Sequence, residues 1–323
     1  LLAQRFHAVS GQTAGTPAEI YSDATPNAEI YASPHAVTFG ATGGSLVWMN
    51  RAGETLGSLN APTELQSPVL SPDGRYVAAS SVGAELRGLW LIDLSSGSVT
   101  RAINDAHLPI WSPDGTELAY YRENDALGDV YRSPANQTEM SQLMLRTRRP
   151  KLLTDWSPRG LVFSESSPGS KYDIWMLSGD NAKPVPLVQS PFNEMQGQWS
   201  PDERWLAFAS DVSGRWGIYV QSADTPAIRR AVSPGGGAAP RWRADGRELF
   251  YIAPNRMLMS VQVTPGTTWQ ASRPEALFRV PIARQLTSRP AFFAVTTDGE
   301  RFLIVADGNR KAIPVIVNWQ SLI

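Results

Sequence analysis

Of the side chains that most often carry acid–base, nucleophilic or metal chemistry, histidine is scarce and dispersed in this sequence and cysteine is missing. The 323 residues include three histidines, His7, His35 and His107, and no cysteine. Thiolate-held zinc, iron–sulfur clusters and disulfides are thereby excluded. His107 precedes an apolar run ending at Trp111, and no serine or aspartate can be assigned to it as a triad partner. There is no Gly-x-Ser-x-Gly elbow, no HExxH pair and no EF-hand spacing. What recurs is aspartate: Asp73, Asp114, Asp202, Asp245 and Asp298 occupy one position of a repeated phrase. A carboxylate so placed could serve a metal or a catalytic pair. Recurrence at a fixed interval spreads such groups around a structure instead of bringing them together, and a turn alone accounts for the residue type. These five are therefore read as structural turn residues, with no catalytic and no metal-ligating residue assigned.

The elements that position them follow from the phrase itself. SPDGRYVAAS at 71–80 returns as SPDGTELAYY at 112–121, SPRGLVFSES at 157–166 and SPDERWLAFA at 200–209. RADGRELFYI at 243–252 and TTDGERFLIV at 296–305 are weaker copies, and SPHAVTFGAT at 33–42 is a degenerate one. Aligned on the third residue, the copies fall at His35, Asp73, Asp114, Arg159, Asp202, Asp245 and Asp298, with spacings of 38, 41, 45, 43, 43 and 53. Proline presets φ at the second turn position and glycine relieves strain at the fourth, so each phrase is a tight turn between two apolar runs. A third run carries an aromatic (Trp48, Trp90, Tyr131, Trp175, Tyr219), and a more polar fourth leads onward. Four short strands in about 43 residues is the pattern of a β-propeller blade. Trp111, Trp156, Trp199 and Trp242 share one repeat position, which suits packing between blades.

Counting turns predicts a closed, all-β propeller of seven four-stranded blades, with six as the alternative, forming one domain over residues 1–323. The last unit ends in a single strand, IPVIVNW at 313–319, while QRFHAVS at 4–10 has no hairpin of its own. The N-terminal strand is therefore expected to complete the last blade, Arg5–Val9 beside Pro314–Asn318, and to cover its open edge.

Composition bounds the partners. Lys and Arg number 29 against 30 Asp and Glu, a net charge of −1 that lacks the basic footprint of a nucleic-acid binder. It also argues against docking on anionic lipid. No stretch is long and apolar enough to insert directly into a membrane. The cluster Arg146, Arg148, Arg149 and Lys151 reads as a solvated face. PGGGAAP at 234–240 lacks the Lys-Ser/Thr of a phosphate loop and reads as an inter-blade turn. No cofactor is called for, although a calcium ion held by channel carbonyls would leave no trace in a sequence.

The SPDG-hairpin repeats resemble the TolB-like, WD-repeat-like β-propellers over essentially the whole chain. LVWMNRAGETLGSL, PFNEMQGQWSPDERWLAFASDVSGRWGIYV, PRWRADGRELFYI and VIVNW further resemble the propeller region that follows bacterial serine/threonine kinases. That resemblance implies a sensor or interaction module outside the cytoplasm, tethered to the membrane in a longer protein whose kinase lies upstream. No HRD, DFG or Gly-rich kinase motif occurs in this sequence. Arg159, Glu203 and Ala244 depart from the repeat's Asp, Gly and Pro.

The expected function is non-catalytic binding of a protein, peptide or small molecule at one mouth of the ring by a monomer. A free periplasmic TolB-like scaffold is a variant. A propeller enzyme, such as a metal-dependent lactonase, lyase or glycosidase, is the competing class. Loops that enter the inner strands carry the candidate binding residues: Gln66, His107, Asn193, Glu194, Gln196, Arg241 and Arg289.

Overall fold

The computed structural model describes residues 2–7, 12–19, 28–32, 37–41, 44–61, 65–81, 86–122, 129–136, 140–146, 149, 151–167, 171–179, 182–282, 292–307 and 313–315. They are all β-strand, turn and loop, and none of the described segments is a helix that could cross a membrane. The chain divides into two compact units, Gly44–Val82 with Leu86–Ala306, and Leu1–Gly43 with Gly83–Glu85 and Asp307–Ile323.

The larger unit is a six-bladed propeller. Blade 1 is an antiparallel meander of Gln66–Leu70, Tyr76–Ser81, Gly88–Asp93 and Val99–Asn104. Blade 2 repeats it with Ala106–Trp111, Glu117–Arg122, Asp129–Pro134 and Gln142–Leu145. Blade 3 uses Lys151–Ser157, Gly160–Ser167, Lys171–Leu177 and Val185–Val188, and blade 4 uses Glu194–Trp199, Trp205–Ser210, Gly217–Ser222 and Arg229–Ala231. In blade 5, Ala238–Trp242, Glu248–Ile252 and Met257–Thr264 are edged by two short pieces, Gln270–Ala271 and Glu275–Arg279. The first strand of each blade lies beside the first strand of the next, and Phe293–Val295 lies beside both Ala238–Trp242 and Gln66–Leu70.

The sixth blade corrects the count of seven. Phe293–Val295 and Arg301–Asp307 supply only its inner two strands, and Gly44–Asn50 with Thr55–Leu59 supply the outer two. Blade 6 is thus shared between the second half of the first sequence unit and the first half of the last. The Gly44–Leu59 hairpin suits the place: Asn50 Oδ1 accepts the Ala52 and Glu54 N–H groups at 3.0 and 2.9 Å, and Leu46 and Met49 are buried. The expected pairing of Arg5–Val9 with Pro314–Asn318 is not what the described residues show. Leu2–His7 pairs with Gln12–Glu19, a local hairpin that satisfies its backbone without the last blade. In the same smaller unit, Val37–Ala41 lies between Ala28–Ala32 and Ile313–Val315. The degenerate SPHAVTFGAT copy has no Asp-Gly to make the turn, and part of it is that central strand.

Cores sit between consecutive blades. Trp111 joins Leu118 and Tyr120 of its own blade to Ala78 and Leu89 of blade 1. Leu46, Ala294 and Leu303 of blade 6 pack against Val77, Ala79 and Trp90 of blade 1 in the same way. Fully burying one such side chain is worth about 1.5–3 kcal/mol, so these seams are what hold the ring together. Indoles pin neighbouring blades directly: Trp111 Nε1 donates to Val69 O and Trp242 Nε1 to Gln198 O, both at 3.3 Å.

Candidate binding site in the channel

One repeat position, four residues before the turn aspartate, faces the middle of the ring. It holds Val69, Ile110, Asp155, Gln198, Arg241 and Ala294. Just before it, the pairing of the first two strands slips in blades 1 to 5: between Gln66 and Val69, His107 and Ile110, Leu153 and Asp155, Met195 and Gln198, and Ala238 and Arg241. Such a bulge inserts an extra residue and re-aims the side chains beside it. In four of these blades a residue at the bulge, Ser67, Leu108, Gln196 or Ala239, has φ between 52° and 60°. The N–H groups freed there are recaptured: Leu108 N by Ser80 Oγ at 2.9 Å, and Ala239 N by Gln196 Oε1 at 2.7 Å.

Together these residues line a cavity of about 250 Å³ in the channel, rimmed on the turn side by the exposed Pro72 and Pro113. Half of its ring is apolar (Val69, Ile110, Ala294) and half is polar, from three consecutive blades (Asp155, Gln198, Arg241). Asp155 is half-buried and lines the cavity. Burial raises its pKa to about 6, against the opposing pull of the Trp199 N–H, which donates to Oδ2 at 2.8 Å, and of the Arg241 charge. Burial likewise lowers Arg241 to about 10, with Asp155 pulling it back up. Gln198 Nε2 donates to Thr154 O, which fixes the amide between the two charged blades. The cavity can therefore offer a carboxylate, an amide and a guanidinium to something small.

The sequence-predicted residues are placed differently from one another. Arg241 lines the channel cavity. Gln66 and His107 are half-buried at the opposite ends of their strands. Asn193 clamps two loops: its N–H and Nδ2 donate to the Asp211 carboxylate at 2.8 and 2.7 Å, and its Oδ1 accepts the Tyr172 N–H at 3.1 Å. Glu194 is only 1% exposed, accepts Ser190 Oγ at 2.5 Å, and has its pKa pushed up by burial. Gln196 is fully buried and serves the bulge of blade 5. Three of the residues expected on loops at the mouth (Glu194, Gln196 and Arg241) are therefore interior: Gln196 lies in the bulge and Arg241 just after it, while Glu194, at the start of its strand, is held by the Ser190 and Ser210 hydroxyls. Arg289 lies outside the described residues. Asp155 and Gln198 were missed, although the break in the repeat from aliphatic to polar residues marks them.

The turn aspartates show one geometry. Asp114 Oδ1 accepts Ser112 Oγ at 2.6 Å and the Thr116 N–H at 3.0 Å, while Ser112 Oγ accepts the Glu117 N–H at 2.9 Å. Asp73, Asp202 and Asp298 make the same pattern. Asp245 keeps the backbone bond, to Arg247 N at 2.9 Å, and pairs with Arg243 at 2.7 Å. The departures from the repeat meet each other: Glu203, at φ 56° where other turns have glycine, pairs with Arg159 at 3.7 Å. A larger groove of about 880 Å³ lies between blades 1 and 2, lined by Asp73, Asp93, Glu117, Tyr76 and Trp111. Its aspartates are held by their own turns, so the channel is the better candidate. In the basic cluster, Lys151 is buried and pairs with Glu165 at 3.2 Å, Arg146 pairs with Asp129 at 3.4 Å, and Arg148 lies outside the described residues.

No known family profile matches the chain. Among curated relatives, the Tol-Pal system protein TolB of Francisella tularensis is 25% identical over 171 residues, 48% of this chain and 37% of the relative. TolB of Alcanivorax borkumensis is 30% identical over 135 residues, 40% of this chain and 31% of the relative. The matches thus span about a third of the length of those TolB proteins. Among solved structures, a TolB candidate from Agrobacterium tumefaciens aligns with a TM-score of 0.65 at 19% identity, covering 84% of this chain and 100% of that one. TolB from Acinetobacter baumannii aligns at 0.57 and 17% identity over 77% of this chain and 66% of that one. An oligogalacturonate lyase in complex with manganese aligns at 0.56 and 14% identity over 85% and 80%. The fold is a TolB-like β-propeller, and an oligogalacturonate lyase shares it.

Proposed function

We propose that the protein is a non-catalytic binding propeller that works outside the cytoplasm and holds a protein or peptide partner at one mouth of its ring. The observation that carries this reading is the sequence likeness to Tol-Pal system TolB across about half the chain, together with a ring whose variable polar residues converge in the channel. Its finer form is the sensor region of a receptor-like serine/threonine kinase, supported by the stretches 46–59, 191–220, 240–252 and 315–319. The coding sequence upstream of Leu1 tests that form: a kinase and an apolar span there support it, and an unrelated gene removes it.

The competing lyase-type reading rests on the oligogalacturonate lyase likeness, which concerns fold alone. Among the described residues no three His, Asp or Glu side chains gather as a metal-donor set. The test is titration calorimetry of the whole chain against the Tol-Pal proteins of its own source. A charge introduced at each mouth, Pro113→Glu on the turn side and Gln66→Glu on the other, identifies the face. Saturable binding weakened by one of the two variants is the expected result. Absence of binding, with turnover on a polysaccharide-lyase panel, overturns the proposal.

A further inference from the structure

We propose that the channel cavity is a binding site for a free α-amino acid, its ammonium directed to Asp155 and its carboxylate to Arg241. This inference stands on the cavity and needs no protein partner at the mouth. Val69, Ile110 and Ala294 occupy the same repeat position in blades 1, 2 and 6. The fold therefore accepts aliphatic side chains there, and replacing buried ions by well-packed apolar groups is often neutral or stabilising. Blades 3, 4 and 5 nevertheless place a carboxylate, an amide and a guanidinium side by side. Polar groups kept at a cost to stability inside a concave site are the usual mark of a ligand site.

The chemistry of the three groups narrows the ligand. Both charges line one cavity and each is close enough to shift the other's titration. A divalent cation at Asp155 would feel the Arg241 guanidinium, and a simple anion at Arg241 would feel the Asp155 carboxylate. A molecule carrying both charges satisfies both. The cavity, about 250 Å³, is large enough to admit one small amino acid. Val69, Ile110 and Trp156 give an aliphatic side chain an apolar wall.

The test is titration calorimetry of the whole chain with L-leucine, alongside isoamylamine (the amine alone), 4-methylpentanoate (the acid alone) and calcium chloride. Leucine is expected to bind saturably, and each single-charge analogue about tenfold or more weakly, each factor of ten being ~1.4 kcal/mol. Asp155→Asn and Arg241→Met should each cause a similar loss, while the turn variant Asp114→Asn leaves the affinity unchanged. Circular dichroism confirms that each variant is folded. Gln198→Leu is the fallback if Arg241→Met does not fold, and it too should weaken leucine. No saturable binding of leucine, alanine or serine at millimolar concentration overturns the proposal. So does leucine binding that survives Asp155→Asn, equal binding of the amine alone, or calcium binding that leucine does not compete away.

Discussion

Two rings of residues, four positions apart in the same repeat, use aspartate in opposite ways. On the turn ring, Asp73, Asp114 and Asp298 sit among hydroxyl and backbone donors, and those bonds hold their carboxyls below the usual range. In the channel ring, Asp155 receives the Trp199 N–H and still has its pKa raised to about 6, because burial outweighs that bond. Neighbouring donors set the first case and loss of water the second. The contrast teaches where the repeat is structural and where it is free. Turn positions are nearly the same from blade to blade because backbone geometry demands them. The channel position changes from Val to Asp to Arg because no backbone rule governs it.

The largest effect should come from separating the channel charges. Arg241→Met alone leaves Asp155 without the positive charge that opposes its burial and should cost on the order of 3 kcal/mol by denaturant unfolding. The double variant Asp155→Leu/Arg241→Met should recover most of that loss. If the single and double variants are equally unstable, the two charges are not coupled through the cavity.

Next in size is the pH dependence. Asp155 is raised from 3.8 to about 6, so the folded protein binds its proton more tightly than the unfolded chain. Its contribution to stability is therefore greatest below about pH 4 and declines by on the order of 2–3 kcal/mol as pH rises through 6. Asp155→Asn should remove that decline. The turn carboxylates predict the reverse at lower pH. Asp93, held down to about 2 by the Ser95 hydroxyl and N–H, contributes stability above about pH 4 that is lost as pH falls towards 2. Thermal unfolding across pH 2–8 for wild type and Asp155→Asn separates the two.

Smaller changes belong to the turn ring. Asp114→Asn should lower the unfolding temperature slightly and leave channel binding untouched. Glu203→Gly relieves a left-handed backbone but loses the exposed Arg159 pair, so its stability should move by no more than about ±0.5 kcal/mol. A large loss of stability in that variant would mean that the Arg159–Glu203 contact supports the seam between blades 3 and 4.

Much of the fold was legible because proline, glycine and aspartate declare a turn wherever they stand together. The blade count was not, since blade 6 is assembled from Phe293–Asp307 and Gly44–Leu59, and no local signal says that two distant half-units will pair. The channel was half legible. Arg241 stands out as a candidate at the mouth, while Asp155 reads as one more polar residue before the Trp156 and turn phrase, because nothing in residue type alone shows that it lines the channel. Glu194 is interior because the Ser190 and Ser210 hydroxyls hold it, and Gln196 because it lies in a bulge. A bulge cannot be read from residue types when Ser67, Leu108, Gln196 and Ala239 all adopt it.

The channel ring, unlike the turn ring, places a carboxylate and a guanidinium in one cavity where burial governs their charge. Carboxyl-carbon NMR titration of Asp155 in the wild type and in Arg241→Met tests it most directly. A midpoint near pH 6 that moves higher when Arg241 is removed is the predicted result. A midpoint near 4, unchanged in the variant, would contradict the claim.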